Sequence, residues 1–238
     1  MSESLKQLQQ TIGYEFRDPE LLKESMTHKS YAAEWKVRYD NQRLEFFGDA
    51  VVELVLTKYL YFRYPELQEG DLTKIRSAAV NQDSLARMAR AIELGRYIQF
   101  GRGEIDSHGG DRESTVSDAF EALTAAIYLD GGYEAAEKFI LRIFERIQPD
   151  PKSLLATLNP KGTLQEYAQA EFGQTPTYQV LQISGPQHEP CFEVAVLLDK
   201  EQLGTGRAQN RKNAEQAAAV EALKVLKERR RKSEEDQK

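Results

Sequence analysis

The stretch Asn41-Gln42-Arg43-Leu44-Glu45-Phe46-Phe47-Gly48-Asp49-Ala50-Val51-Val52 decides how this chain is read. Wound as a helix, Leu44 to Val52 is apolar on nearly every side, which predicts a buried helix. Yet Glu45 and Asp49 lie four residues apart and so share a face of it. A second segment repeats the oddity: Ser114-Thr115-Val116-Ser117-Asp118-Ala119-Phe120-Glu121-Ala122-Leu123, apolar onward to Leu129. Asp118 and Glu121 are its only charges, and three apart they too share a face. An unpaired buried carboxylate costs several kcal/mol as an order of magnitude, so two such pairs demand cations.

Basic side chains at Arg43, Lys74, Arg76 and Arg112 could supply them by ion pairing across the core. That suits a single carboxylate better than two same-face pairs on two apolar helices. The pattern points instead to a divalent metal. All-oxygen ligands favour Mg²⁺, with Mn²⁺ able to substitute, over zinc. Such a cation keeps several waters, lowers the pKa of water and holds phosphate oxygens, which suits phosphate chemistry. A di-iron bundle needs Glu-x-x-His pairs, and none of His28, His108 and His188 has that spacing.

Outward from these segments, Leu5 to about Ile147 reads as helical. Apolar residues recur three and four apart over Leu44–Tyr64, Leu72–Leu94, Ser114–Leu129 and Tyr133–Ile147. Gln148-Pro149-Asp150-Pro151-Lys152 breaks the pattern, since two close prolines end a helix. The division expected is therefore a helical domain over 4–148, a linker over 149–158, a small α+β domain over 159–228 and a charged, disordered tail over 229–238. In the α+β part, Gly162–Phe172 forms a helix closed by Gly173. Thr177–Ser184 and Cys191–Leu198 alternate with period two, putting Phe192, Val194, Val196 and Leu198 on one face. Asp199-Lys200 turns the chain into a third strand, Leu203–Gln209. A long helix follows with Asn210 as its N-cap. The order is α-β-β-β-α. Cys191 and Trp35 read as packing residues.

The 238 residues carry a formal net charge of −6, which by itself argues against phosphate binding. Charge is unevenly placed, however. From Arg207 to Lys232 the bases are Arg207, Arg211, Lys212, Lys224, Lys227, Arg229, Arg230, Arg231 and Lys232, against the acids Glu215, Glu221 and Glu228. The single cysteine excludes an internal disulfide and a cysteine zinc site. Met1 to Gln10 is polar, and the most apolar run, Ala50 to Phe62, is short and interrupted by Glu53 and Lys58. No signal peptide or membrane span is expected, and the cytoplasm is the expected location.

With the whole chain in view, Asn41 to Val51 resembles the signature of the ribonuclease III family. Glu69-Gly70-Asp71-Leu72-Thr73-Lys74-Ile75-Arg76 and Asp118-Ala119-Phe120-Glu121-Ala122 resemble its other two motifs, in order. Ile12-Gly13-Tyr14-Glu15-Phe16 and Thr27-His28-Lys29-Ser30-Tyr31 are similar too. The resemblance implies an endoribonuclease cutting double-stranded RNA, with 5′-phosphate ends and short 3′ overhangs. It implies Glu45, Asp118 and Glu121 as metal ligands, Asp49 and Glu121 as catalytic, Glu69 as a supporting acid, and a homodimer with Phe46 at the interface. Where the family usually has a glutamate, this chain has Gln42. Glu53 has no counterpart in the motif and reads as structural.

The C-terminal part resembles a double-stranded-RNA-binding domain. The likeness implies RNA contacts from Gln165 and Glu166 on its first helix, His188 in the loop Gly185–Pro190, and Arg211 and Lys212 at the last helix. That surface would span the grooves of an A-form duplex. The family's glycine and serine ahead of that helix are Ala208 and Asn210 here. Two rival readings remain. One is a non-catalytic duplex-binding protein on a decayed nuclease fold, against which the intact set of four acids speaks. The other is a helical diphosphate-metabolising enzyme, which would not need the α-β-β-β-α part and would carry an aspartate-rich repeat.

Overall fold

The computed structural model describes residues 3–186 and 189–235. They form two compact units that divide between Pro151 and Lys152. Among the described residues the first unit holds α1 (Glu3–Ile12), α2 (Pro19–Ser25), α3 (Lys29–Trp35), α4 (Gln42–Arg63), α5 (Glu69–Ala79), α6 (Gln82–Arg90), α7 (Arg102–Asp106), α8 (Glu113–Gly131) and α9 (Tyr133–Ile147). The helix α8 is its centre. Val116, Ala119, Phe120, Ala122, Leu123, Ala125, Ala126 and Ile127 are all fully or almost fully buried, and α2, α4, α6 and α9 pack around them. Four alanines in that set let neighbouring backbones come close. The partner α9 presents Ala136, Phe139, Ile140, Ile143 and Phe144, the three-and-four spacing of one helical face.

Several local features differ from the sequence reading. The helical run expected over Leu72–Leu94 divides in two. Asn81 sits between α5 and α6, and its Oδ1 accepts the Ser84 N–H at 2.9 Å, a side-chain cap that starts a new helix. The helix α4 is not buried all round. Leu44, Gly48, Val51, Val52, Val55, Leu56 and Leu60 face the core, while Phe46 (83% exposed), Leu54, Tyr61 and Phe62 face outward. Apolarity on every side marked two different faces, one packed and one open. Trp35 is also no core residue: it is 57% exposed and stacks on Tyr31 with ring centroids 5.9 Å apart.

The segment 149–158 is largely helical: a 3-10 turn over Pro151–Ser153 leads into α10 (Leu154–Leu158), which packs with the second unit. That unit continues with α11 (Pro160–Phe172), β1 (Thr177–Ser184), β2 (Cys191–Leu198), β3 (Glu201–Ala208) and α12 (Arg211–Glu235). The strands form one antiparallel sheet in the order β1-β2-β3. Val194, Val196, Leu198 and Leu203 are buried with Leu164 and Ala168 of α11 and with Ala218, Ala222 and Leu226 of α12. On β3, Gly204 and Gly206 lie under α12, where a Cβ on either would collide with that helix's backbone. Asn210 caps α12 as its sequence predicts, accepting the Asn213 N–H at 2.8 Å.

The helix α12 runs on into the stretch 229–238 expected to be a charged, disordered tail. The backbone stays helical to Glu235, because Arg, Lys and Glu are good helix formers and no glycine or proline interrupts them. Residues 236–238 lie outside the described residues.

Candidate metal centre and RNA-binding residues

The centre lies where α4 and α8 cross. Gly48, one residue ahead of Asp49, is buried against α8, and a Cβ there would collide with the backbone carbonyl of Glu121. The missing side chain lets the helices touch backbone to backbone. It thereby brings the acids of both helices to one place. Glu45, Asp118 and Glu121 each offer a carboxylate oxygen, and these oxygens all lie within 4.8 Å of one another. The three side chains are half-buried. Asp49 is exposed, one turn beyond Glu45, and its charge acts strongly on Glu121.

Burial and crowding act on Glu45, Asp118 and Glu121. Burial, and then repulsion from Asp49, Asp118 and Glu45, pushes the Glu121 carboxyl up to about 8. Burial raises Glu45, with Asp118 adding to it. Burial also raises Asp118, against a hydrogen bond from Ser117 and the charges of Lys29 and His28. The basic residues that could have neutralised the cluster are engaged elsewhere. Arg76 pairs with Glu53 (3.4 Å), Lys74 with Asp71 (2.8 Å) and Arg112 with Glu104 (2.6 Å). The charge of Arg43 is felt by Glu24. Among the described residues, no Lys or Arg nitrogen lies within 4.0 Å of Glu45, Asp49, Asp118 or Glu121. A converging, all-oxygen donor set without a paired base fits a hard divalent cation.

The Thr27–Ser30 segment carries two residues near the centre, His28 and Lys29, for which no role was expected. Burial holds His28 below the usual imidazole range. Its Nδ1 lies 2.8 Å from Ser30 Oγ, and its ring packs against Phe100. The charge of Lys29 acts on both Glu45 and Asp118. The only sequence signal was the Thr27–Tyr31 motif itself, which names a place without a function.

The remaining predicted residues fall at different distances from the centre. Glu69 starts α5, accepts a hydrogen bond from Thr73 Oγ1 at 3.0 Å, and lines a groove of about 460 Å³ beside Leu60, Tyr61 and Leu72. It is not in the three-carboxylate group. Gln42 is exposed at the start of α4, its N–H donating to Asp40 Oδ1 at 3.1 Å, also outside that group. Phe46 stands at the lip of a groove of about 670 Å³ with Leu21, Leu44, Phe47 and Leu129. Glu53 pairs with Arg76 at 3.4 Å.

On the second unit, Gln165 and Glu166 are exposed on α11. Lys212 is exposed with no carboxylate within 4.0 Å among the described residues. Arg211 is exposed but donates from Nε to Glu215 at 2.8 Å. Glu215 is buried and also takes Lys161 of α11. Those two pairs tie the start of α11 to the start of α12, so part of Arg211 serves that junction. Arg207 and Arg229 likewise pair, with Glu193 and Glu201. His188 lies outside the described residues.

Comparison with known proteins agrees with this two-part layout. Residues 18–147 match the family described as Ribonuclease-III-like. Residues 160–226 match the double-stranded RNA binding motif. The Ribonuclease 3 of Symbiobacterium thermophilum is 48% identical over 214 residues, covering 90% of this chain and 91% of that protein. The Ribonuclease 3 of Nitratiruptor sp. is 43% identical, covering 94% and 98%. Among solved structures, the nuclease domain of the Campylobacter jejuni ribonuclease III superposes with a TM-score of 0.59 at 40% identity, over 63% of this chain and 99% of that domain. Fold and site together define a helical nuclease domain carried with a double-stranded-RNA-binding domain. The chain belongs to the ribonuclease III family.

Proposed function

We infer that this chain is an endoribonuclease that hydrolyses phosphodiester bonds in double-stranded RNA, acting in RNA processing, ribosomal RNA included, in the cytoplasm. The observation that carries this reading is the convergence of Glu45, Asp118 and Glu121 with no Lys or Arg ion-paired to them among the described residues. Those three would hold Mg²⁺, with Mn²⁺ able to replace it. When bound, the cation supplies positive charge to the phosphate oxygens and makes water a better nucleophile near neutral pH.

The residues of the chain do the rest. Glu121 would have to give up its proton to solvent to hold the cation, since a ligating carboxylate must be ionised. Asp49, beside Glu121 and open to solvent, orients the attacking water and accepts its proton. The water oxygen bonds to phosphorus as the P–O3′ bond breaks, and the departing O3′ takes a proton from solvent water, leaving a 5′-phosphate and a 3′-hydroxyl. The second unit supplies the grip, with Gln165, Glu166 and His188 toward the minor grooves and Arg211 and Lys212 toward phosphates. One such centre cuts one strand. A two-fold dimer through the open apolar side of α4 around Phe46 would present two centres to one duplex and leave short 3′ overhangs.

The test is incubation with a long RNA duplex, with and without Mg²⁺. Short duplex fragments that appear only with the cation are expected. Tight binding without any cleavage would make the chain a non-catalytic duplex binder instead.

A further inference from the structure

The exposed surface of α3 and the turn after it has no place in the chemistry described above. It is aromatic and basic, and it is fixed to the metal centre's surroundings. Trp35 is 57% exposed although it is the largest apolar side chain a protein can carry, and it is the only tryptophan in the chain. Tyr31 covers one side of it as a near-parallel stack at 30° between planes. Lys29 at the start of the same helix, and Lys36 and Arg38 just after its end, are exposed. Among the described residues none of these three has a carboxylate within 4.0 Å, whereas the acid on the same helix, Glu34, is paired with Arg102 at 3.3 Å. On a chain of net charge −6 this is an unusual local excess of free positive charge.

The surface is held in place at several points. The Asn41 N–H, at the start of α4, donates to Thr27 O at 2.9 Å, and the His28 N–H donates to Gln99 O at 3.1 Å. The Gly101 N–H donates to Ser30 Oγ at 3.0 Å, and the Arg102 N–H to Glu34 Oε2 at 2.7 Å. At the near end Lys29 acts on Glu45 and Asp118. Trp35 lies six residues along the helix, roughly 9 Å away at 1.5 Å per residue. Along the axis of a DNA duplex the phosphates of one strand recur about every 3.4 Å, so that span corresponds to a few nucleotides.

We propose that the Lys29–Arg38 surface binds unpaired nucleotides flanking the duplex, stacking a base on Trp35 while Lys36 and Arg38 meet the phosphates. This rests on the reading of the chain as a double-stranded-RNA nuclease, and it adds a second kind of RNA to it. A tryptophan face is of little use against paired bases, whose faces are covered inside the helix. It fits an unstacked base, which every nucleotide can offer. The neighbouring free cations fit the backbone of the same strand. A single-stranded tail or terminal loop would thus help to set which phosphate reaches Glu45, Asp118 and Glu121.

The experiment uses the full chain in Ca²⁺, to hold RNA uncut, and follows the fluorescence of Trp35. The probes are a blunt RNA duplex slightly longer than the roughly 16 base pairs that a double-stranded-RNA-binding domain spans, and the same duplex with an unpaired tail of a few nucleotides. The tailed duplex should quench the signal and bind more tightly, and the blunt one should leave the signal nearly unchanged. Trp35→Ala should remove roughly five- to a hundredfold of the advantage of the tailed duplex, the range for losing one stacked base. Its Mg²⁺-dependent cleavage of the blunt duplex should stay unchanged. Lys36→Ala with Arg38→Ala should lower the advantage further and flatten its salt dependence. Equal quenching by both probes, or an unaltered advantage in Trp35→Ala, would overturn the proposal. So would a change of oligomeric state in that variant, which would assign the surface to a second copy of the chain. Failure of the nuclease reading would appear separately, as absent cleavage of the blunt duplex by the unaltered chain.

Discussion

Glu121 carries more consequence than any other side chain here, because burial and three neighbouring carboxylates all act against its charge. Its carboxyl stands at about 8 in the cation-free fold, against an ordinary value of 4.5. Between those values the folded chain holds a proton that the unfolded chain has released. Stability must then fall as pH rises through that window. In metal-free buffer the melting temperature should accordingly drop between pH 5 and pH 8, and Mg²⁺ should restore it, more at pH 8 than at pH 5. In Glu121→Gln the drop should be reduced and the response to Mg²⁺ weakened. The same variant should lose cleavage by about a thousandfold or more, the scale of several kcal/mol of transition-state charge stabilisation, while binding duplex in Ca²⁺ as before. Thermal scans at several pH values decide the first part and a cleavage assay the second. Identical pH profiles for the two proteins would remove Glu121 from the centre of the cluster.

At the scale of elements, the crossing of α4 and α8 is what turns two apolar helices into a site. Gly48→Ala offers a direct check. Alanine favours a helix by about 1 kcal/mol over glycine, but overpacking costs about 1–3 kcal/mol or more. Here the obstacle is the Glu121 backbone carbonyl rather than a flexible side chain. The collision should win, lowering stability by about 1–2 kcal/mol and weakening Mg²⁺ binding, because Glu45 and Asp49 move away from Asp118 and Glu121. Denaturant melts and metal titration would show it. An alanine variant as stable as the parent, with unchanged Mg²⁺ affinity, would mean that the helices can separate without cost.

Much of this was legible from spacing alone. Same-face acids on apolar segments located the centre, and Asn210, Gly173 and the alternating strands located the second unit. What stayed hidden depends on neighbours that periodicity does not name. Nothing local told the open side of α4 from its packed side, or showed that Trp35 lies on the surface. Asn81 looked like one more polar residue until its side chain capped α6. Arg211 looked free until Glu215 took part of it.

For the whole molecule, the acidic excess falls in the first unit, while the second unit has slightly more bases than acids, several of them outside ion pairs. Lys212, Lys224 and Lys227 are exposed there without a carboxylate within 4.0 Å among the described residues, while Arg207, Arg211 and Arg229 are paired. A chain ending at Pro151 should therefore fold, keep its cation site and cut duplex RNA at low salt, yet fail near physiological salt. The full chain should continue to cut there. Arg211→Ala with Lys212→Ala should fall between the two, with each lost phosphate contact reducing the salt slope by about 0.9, a figure taken from duplex DNA. Cleavage rate against salt for the three proteins is the measurement. Coincident curves would show that the second unit is not the RNA anchor.

Few residues separate the end of α9 at Ile147 from the start of α11 at Pro160, and α10 fills part of that interval. Once the second unit has seized a duplex, the nuclease unit meets its substrate as a tethered neighbour and no longer as a free solute. A short connection that lets both units reach one duplex sets a high effective concentration, so a nuclease unit with weak affinity of its own can still be saturated. Residence time on the RNA, rather than the strength of contact at the scissile bond, would then govern how many cuts follow each encounter.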